Sequence, residues 1–356
     1  MKKYFFKFSG IICLLIISQT AALSAFADGI YVPVSTKTEV VTIQSKDSER
    51  RSETVEAKIL EGDEKGKIVI IENIPGDLTP GQKFFSETIV GSDGKIDHYF
   101  TGYDRLPIDY FFIGLFILCA ILIGGKQGAR GIISLAGSLL LVAYILLPGI
   151  ASGHSPLALS VIVAALIIIL GSYVTHGFNR TTTAAILGMF ITLIITSGLS
   201  YYSITFAHLS GVQNDLTDMG IDAYDFKSLL FAGMLIGLLG ILIDIAITQA
   251  VAVEELLSMN PECSKKVIYA RALRMGREHI GTLVNMLVIL YVGTSLPLFL
   301  LYYKDLSLSI KRVMNLEIFS TAITHTMIGS IGLMLSVPIT TLISLVFLTN
   351  SVRNKK

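Results

Sequence analysis

From Ile108 onward the chain repeats one pattern, apolar runs of roughly twenty residues with almost no charge, separated by polar links. That is the length a helix needs to cross a hydrocarbon core of about 30 Å. Lipid offers the backbone no hydrogen-bond partner, so runs of this kind must close their own bonds as helices. Seven spans are expected, at 108–124, 131–150, 156–174, 182–202, 228–250, 281–302 and 317–348. At 1.5 Å per residue the last would reach about 48 Å, too long for one simple crossing. A break or kink at Val337-Pro338, or an extra re-entrant segment, is therefore expected there. The fold class is a polytopic all-α membrane bundle preceded by a small all-β domain.

That domain lies in residues 28–107, where long apolar runs give way to short alternating stretches such as TVEAKIL, GKIVIIENI and KFFSETIV. Asp93-Gly94 and Pro80-Gly81 mark tight turns between them, because their positions tolerate positive φ or pre-set the turn. A five- or six-stranded barrel or sandwich is expected. Ahead of it, Lys2, Lys3 and Lys7 precede the apolar run IICLLIISQTAAL and the small-residue site Ala25-Phe26-Ala27. Residues 1–27 read as a cleaved signal peptide, with an uncleaved anchor as the alternative. Either places the β domain outside the cytoplasm. The helical region is expected over 108–350 and a cytoplasmic tail over 351–356.

Basic residues sort by membrane side. Lys126, Arg130, Arg180, Lys265, Lys266, Arg271, Arg274, Arg277 and Arg353 fall on alternate links, which fits a cytoplasmic C-terminus. Lys304, Lys311 and Arg312 are the exception, on an outside link. A net charge of +1 without a basic face excludes nucleic acid as a partner. Cys13, Cys119 and Cys263 have neither metal-ligand nor disulfide spacing, so neither a metal nor a cofactor is expected.

The fifth span, GLLGILIDIAITQAVAVEEL, holds a carboxylate, Asp244, which costs about 2.5 to 3.5 kcal/mol near a helix centre unless it is compensated or used. Gly233, Gly237, Gly240, Asp244 and Thr248 share one stripe of a 3.6-residue helix. Glycines at that spacing admit a neighbouring helix, so the stripe is expected to face protein, and Gly237→Leu to disrupt more than Leu238→Ala. Asn285, and His325 on the stripe Thr321, His325, Gly329, Gly332 and Ser336, are the expected partners. Two small-and-polar faces would then meet, with Asp244, Thr248, Asn285 and His325 along an ion, proton or substrate pathway. The plainer alternatives are that Asp244 glues helices together and that His325 is a satisfied core residue. On the cytoplasmic side, EELLSMNPECSKKVIYARALRMGREHI reads as a helical pair broken at Asn260-Pro261. Glu254, Glu255, Arg277 and Glu278 are candidates there for a gate, against topology and headgroup anchoring as the plainer role.

Catalytic patterns are missing. Glu278-His279 lacks the second histidine that zinc would need, and neither a G-x-S-x-G elbow nor a Walker loop occurs, so an enzyme is not expected.

GLLGILIDIAITQAVAVEEL, then RALRMGREHIGTLVNMLVILYVGTSLPLFLLY and GSIGLMLSVPITT, resemble the YibE/F-like multitransmembrane proteins of bacteria over most of residues 55–348. The chain is most similar to the longer YibE type, with Gly125-Gly128-Arg130 and Gly177-Asn179-Thr182 at glycine-rich cytoplasmic turns. It departs from the family's pattern at Glu278, where aspartate is usual, and at Asn285-Met286, where Asn-Thr is usual. The resemblance implies the fold and a multipass location in a bacterial plasma membrane, and no activity. The expected function is transport of an unidentified solute, ion- or proton-coupled through Asp244. The alternative is a non-transporting subunit or scaffold that recruits a companion of the same family, or a second copy, through its ectodomain and helix faces.

Overall fold

The computed structural model describes residues 35–47, 52–62, 64–75, 78–90, 96–211, 225–296, 299–300, 303 and 309–353. The leader with its Ala25-Phe26-Ala27 site and the Asp93-Gly94 turn lie outside the described residues. The chain forms two compact units, one of Ser24–Leu122 and one that includes Ile123–Lys356.

In the first unit, β1 (Ser35–Asp47), β2 (Ser52–Ile59), β3 (Ile68–Pro75), β4 (Lys83–Val90) and β5 (Ile96–Tyr103) pair antiparallel in the order β3-β2-β1-β4-β5. Alternation drives it: Val55, Ala57 and Ile59 are buried while Lys58 between them is exposed. Val40, Ile71, Ile74 and Phe84 complete the core. Two register shifts bend the long β1, and edge strands β3 and β5 approach each other, so the sheet curls into a half-barrel. At Thr79-Pro80-Gly81-Gln82 the Gln82 N–H donates to the Thr79 carbonyl at 3.0 Å, and Gly81 has φ +86°, the positive value that this turn requires.

A helical stretch of 46 residues follows, Leu106–Ala151, made of α1 (Leu106–Leu141), a π turn at Val142–Leu146 and α2 (Leu147–Ala151). The two spans expected here are joined without a loop. They are separated only at Gly125, whose φ of 54° and ψ of −133° leave the helix, a conformation glycine adopts at little cost.

Then come α3 (Pro156–His176), α4 (Arg180–Phe206), α5 (Phe226–Met259), α6 (Lys265–Thr294), α7 (Ile310–Met314) and α8 (Glu317–Arg353). Local signals set their ends. Pro156 opens α3 after the Ser155 cap, and Gly177 with φ +83° turns the chain. Asn179 caps α4 by accepting the Thr182 N–H at 2.7 Å. Asn260-Pro261 separates α5 from α6 as the sequence implies. Pro338 does not break α8, which runs through 37 residues. By length and apolarity five stretches suit a membrane: Leu106–Ala151, α3, α4, α5 and Glu317–Thr349.

In the helical unit α8 packs on α4, α5 and α6, and α5 also packs on α3. The closest approach is between α4 and α8. Ala185, Gly188, Thr192 and Thr196 of α4 and Gly329, Gly332, Ser336 and Thr340 of α8 are all buried. A Cβ on Gly188 would stand 2.5 Å from Thr340 Oγ1 and 3.0 Å from Thr340 Cα. One on Gly332 would strike Thr196 Cγ2. The small-residue face of α8 therefore meets α4, not the glycine stripe of α5 as expected. The physical reason is that α5 turns its bulk inward, burying Leu235, Leu238, Leu242, Ala246, Gln249 and Val253. Gly233, Gly237, Gly240, Asp244 and Thr248 lie on the other side and are exposed.

Candidate functional site

The middle of α5 faces the middle of α6 across a cleft of about 40 Å³, lined by Asp244, Ile245, Thr248, Gln249, Gly276, His279, Leu283 and Val337. That volume holds about two or three waters or one small cation. Asp244 and Thr248 enter it from successive turns of α5, and His279 from α6. Among the described residues no hydrogen bond or ion pair engages the Asp244 carboxylate. Its charge acts on His176 at the C-terminal end of α3, so a second imidazole stands within electrostatic reach.

The cleft has a built wall. Gln249, only 3% exposed, donates from Nε2 to the Ala272 carbonyl of α6 at 2.8 Å and to Thr341 Oγ1 of α8 at 2.7 Å. Gly276 permits this approach, because a Cβ there would strike Val337 and stand 2.7 Å from Gln249 Oε1. Three helices are thereby held together beside the one unpaired carboxylate of the cleft. Carboxylate, imidazole and hydroxyl around a water-sized space can pass a proton or hold a small cation. Among the described residues no cluster of three His, Cys, Asp or Glu side chains assembles.

The remaining sequence candidates fall elsewhere. His325 of α8 lies at the level of Gly237, two turns along α5 from Asp244 or about 10 Å by helix rise, and is not brought to it. Its ring hydrogen-bonds Tyr291 Oη, with Nε2 at 2.9 Å, and would stand 3.4 Å from a Cβ on Gly237. It braces α5, α6 and α8. Asn285 is exposed on α6 and does not line the cleft. Gly233 and Gly240 would meet nothing within 4 Å of an added Cβ.

Among the gate candidates, Glu254 accepts from Thr181 Oγ1 at 2.6 Å, beside the N-terminus of α4, where the helix dipole favours a carboxylate. Glu255, Arg277 and Glu278 are exposed, and among the described residues no ion pair joins the four.

Sequence reasoning missed His279, Gln249 and His176. His279 carried a usable signal, three residues after Gly276 and four before Leu283 on a helical stripe. It was weighed only as a zinc ligand. Nothing marks His176 as a neighbour of Asp244 until α3 packs on α5.

In comparison with known proteins, the family model described as YibE/F-like protein matches residues 112–350. No curated protein and no solved structure matches the chain.

Proposed function

Because the chain belongs to the YibE/F-like family and holds an unpaired carboxylate in its helical bundle, we propose that it is a proton- or cation-coupled membrane transport protein centred on Asp244. The observation that carries this reading is the cleft itself, where Asp244, Thr248 and His279 converge on a space the size of a few waters. A carboxylate retained only as helix glue would spend its acceptors on a neighbouring helix, and Asp244 does not. The substrate is a solute whose passage is linked to charge at this centre, and no chemical step is required of the protein.

Seven crossings are part of the same proposal. The stretch Leu106–Ala151 would measure about 69 Å as unbroken helix, more than twice the hydrocarbon core, and is interrupted at Gly125. With α3, α4, α5 and α8, and with α6 counted as well, the proposal has an odd number of crossings, and the basic links then put the C-terminus in the cytoplasm and the N-terminal domain outside a bacterial plasma membrane.

The test is flux in proteoliposomes for wild type and Asp244→Asn over about pH 5 to 8. Asparagine keeps the size and much of the hydrogen-bonding capacity. The reading expects a folded, inserted mutant without pH-dependent flux; equal flux in both proteins would overturn it.

One observation favours a second reading, a subunit that recruits a companion protein or a second copy. The glycine stripe Gly233, Gly237 and Gly240 is exposed, which is the surface a foreign helix packs on. Co-purification of a stoichiometric membrane protein, lost in Gly240→Leu with Asp244→Asn flux unaffected, would establish that reading instead.

A further inference from the structure

A second pocket lies at the other end of α6, away from its cationic half, and the transport reading makes no use of it. Its volume is about 270 Å³. Val292 and Phe299 line it from α6 and the residues beyond, Val313 and Met314 from α7, and Phe319 and Ile323 from α8. Phe299 and Phe319 meet edge to face in its wall, with centroids 5.3 Å apart. Val292, Phe299, Met314 and Ile323 stay exposed on the rim, so the pocket opens to the surroundings of the bundle.

The short helix α7 has two sides. Ile310, Val313 and Met314 turn into the pocket. Lys311 and Arg312 stay exposed, and among the described residues neither makes an ion pair. The carboxylate at the start of α8, Glu317, does not neutralise them. It is occupied by Ser210 Oγ at 2.7 Å and the Gly211 N–H at 2.8 Å. These are the same cations that stand on the wrong side of the membrane for the positive-inside pattern. A use for them would account for that exception.

We propose that this pocket binds an anionic phospholipid, with an acyl chain between α6, α7 and α8 and the phosphate on Lys311 and Arg312. The two halves match the ligand separately. The lining is aliphatic and aromatic with a few hydroxyls, as an acyl chain requires, and the charge lies at one rim only, as a headgroup requires. Long basic side chains at the edge of an apolar surface hold their charges at headgroup depth. Each cation beside an anionic lipid raises affinity about fivefold.

The chain contains no tryptophan, so one introduced indole reports on one place. The experiment reconstitutes full-length Phe299→Trp in vesicles of phosphatidylcholine containing dibrominated phosphatidylglycerol or dibrominated phosphatidylcholine, and measures quenching. Ile194→Trp, on the 68% exposed Ile194 position of α4, is the control for ordinary lipid contact. The proposal expects the glycerol lipid to be preferred at position 299 by roughly tenfold or more. The preference should fall to that of position 194 in Lys311→Gln with Arg312→Gln, while quenching by both lipids persists. Equal preference at 299 and 194, or a preference unchanged in the double variant, would overturn the headgroup assignment. Failure of both brominated lipids to quench 299 while they quench 194 would show protein, such as a second copy, in the pocket and overturn the proposal. If Phe299→Trp does not fold, Val292→Trp reads the same rim.

Discussion

Alanine at Gly188 and alanine at Gly240 separate the buried seam of this protein from its exposed stripe. Both residues lie inside helices, so both substitutions gain the same helix propensity, about 1 kcal/mol, and it cancels in the comparison. What remains is space. At Gly188 the new Cβ would lie 3.0 Å from Thr340 Cα, against ordinary contact from 3.4 Å, so α4 and α8 must part by about 0.4 Å along a backbone that cannot rotate away. Thr340 Oγ1, at 2.5 Å, must move by about 0.9 Å but can change rotamer. Overpacking on this scale costs about 1–3 kcal/mol. At Gly240 nothing lies within 4 Å of the added methyl. Gly188→Ala should therefore be less stable than Gly240→Ala by about 1–3 kcal/mol in a titration of the full chain from mild detergent into dodecyl sulfate, followed by helical circular dichroism. If Gly240→Ala loses as much as Gly188→Ala, the stripe on α5 is packed after all and the reasoning fails.

Leu238, 5% exposed and against Gly329 and Gly332 of α8, should matter more than Gly237 when each is replaced by alanine. Leu→Ala costs about 2.7–5.0 kcal/mol in a water-referenced core. About 2.4 of that is transfer of three methylene equivalents, which a lipid reference removes, so about 0.3–2.6 kcal/mol should appear for Leu238→Ala in the same titration, against a smaller effect for Gly237→Ala. Gln249→Leu should cost about 0.6–1.7 kcal/mol, the range of single interhelical hydrogen bonds, and a neutral result would show that its contacts to Ala272 and Thr341 do not brace the cleft. In the β unit, the hydrogen bond from Lys67 at 2.9 Å holds the Glu64 carboxyl below its usual 4.5. Its contribution is present above that value and lost as pH falls through the lower folded one, so Glu64→Gln should flatten acid unfolding below about pH 4.5; an unchanged near-ultraviolet dichroism profile would discount it.

Legibility differed between levels. Turn residues could be read directly, as at Pro80-Gly81 and Asn260-Pro261, because their partners lie within a few residues. The small-residue stripe of α8 was legible as a packing face, but its partner was not. Asp244 was legible as an ionisable residue in an apolar helix, and Thr248 as its companion one turn away. Asn285 stands out in the sequence by its polarity and His325 by its polarity and its small-residue stripe, and the structure places one on the exposed side of α6 and the other against Tyr291.

Apolar runs and helical periodicity are local properties, set by 3.6 residues per turn and by the absence of water in lipid, and they determined the helices, the β unit and which residues share a face. Which face meets which helix was decided by tertiary packing. Lipid is as apolar as leucine, so polarity does not tell an inward face from an outward one, and the choice falls to close fit. Gly188 under Thr340 and Gly276 under Gln249 provide that fit. The glycines of α5 do not, and Asp244 shares its cleft with His279 rather than with His325.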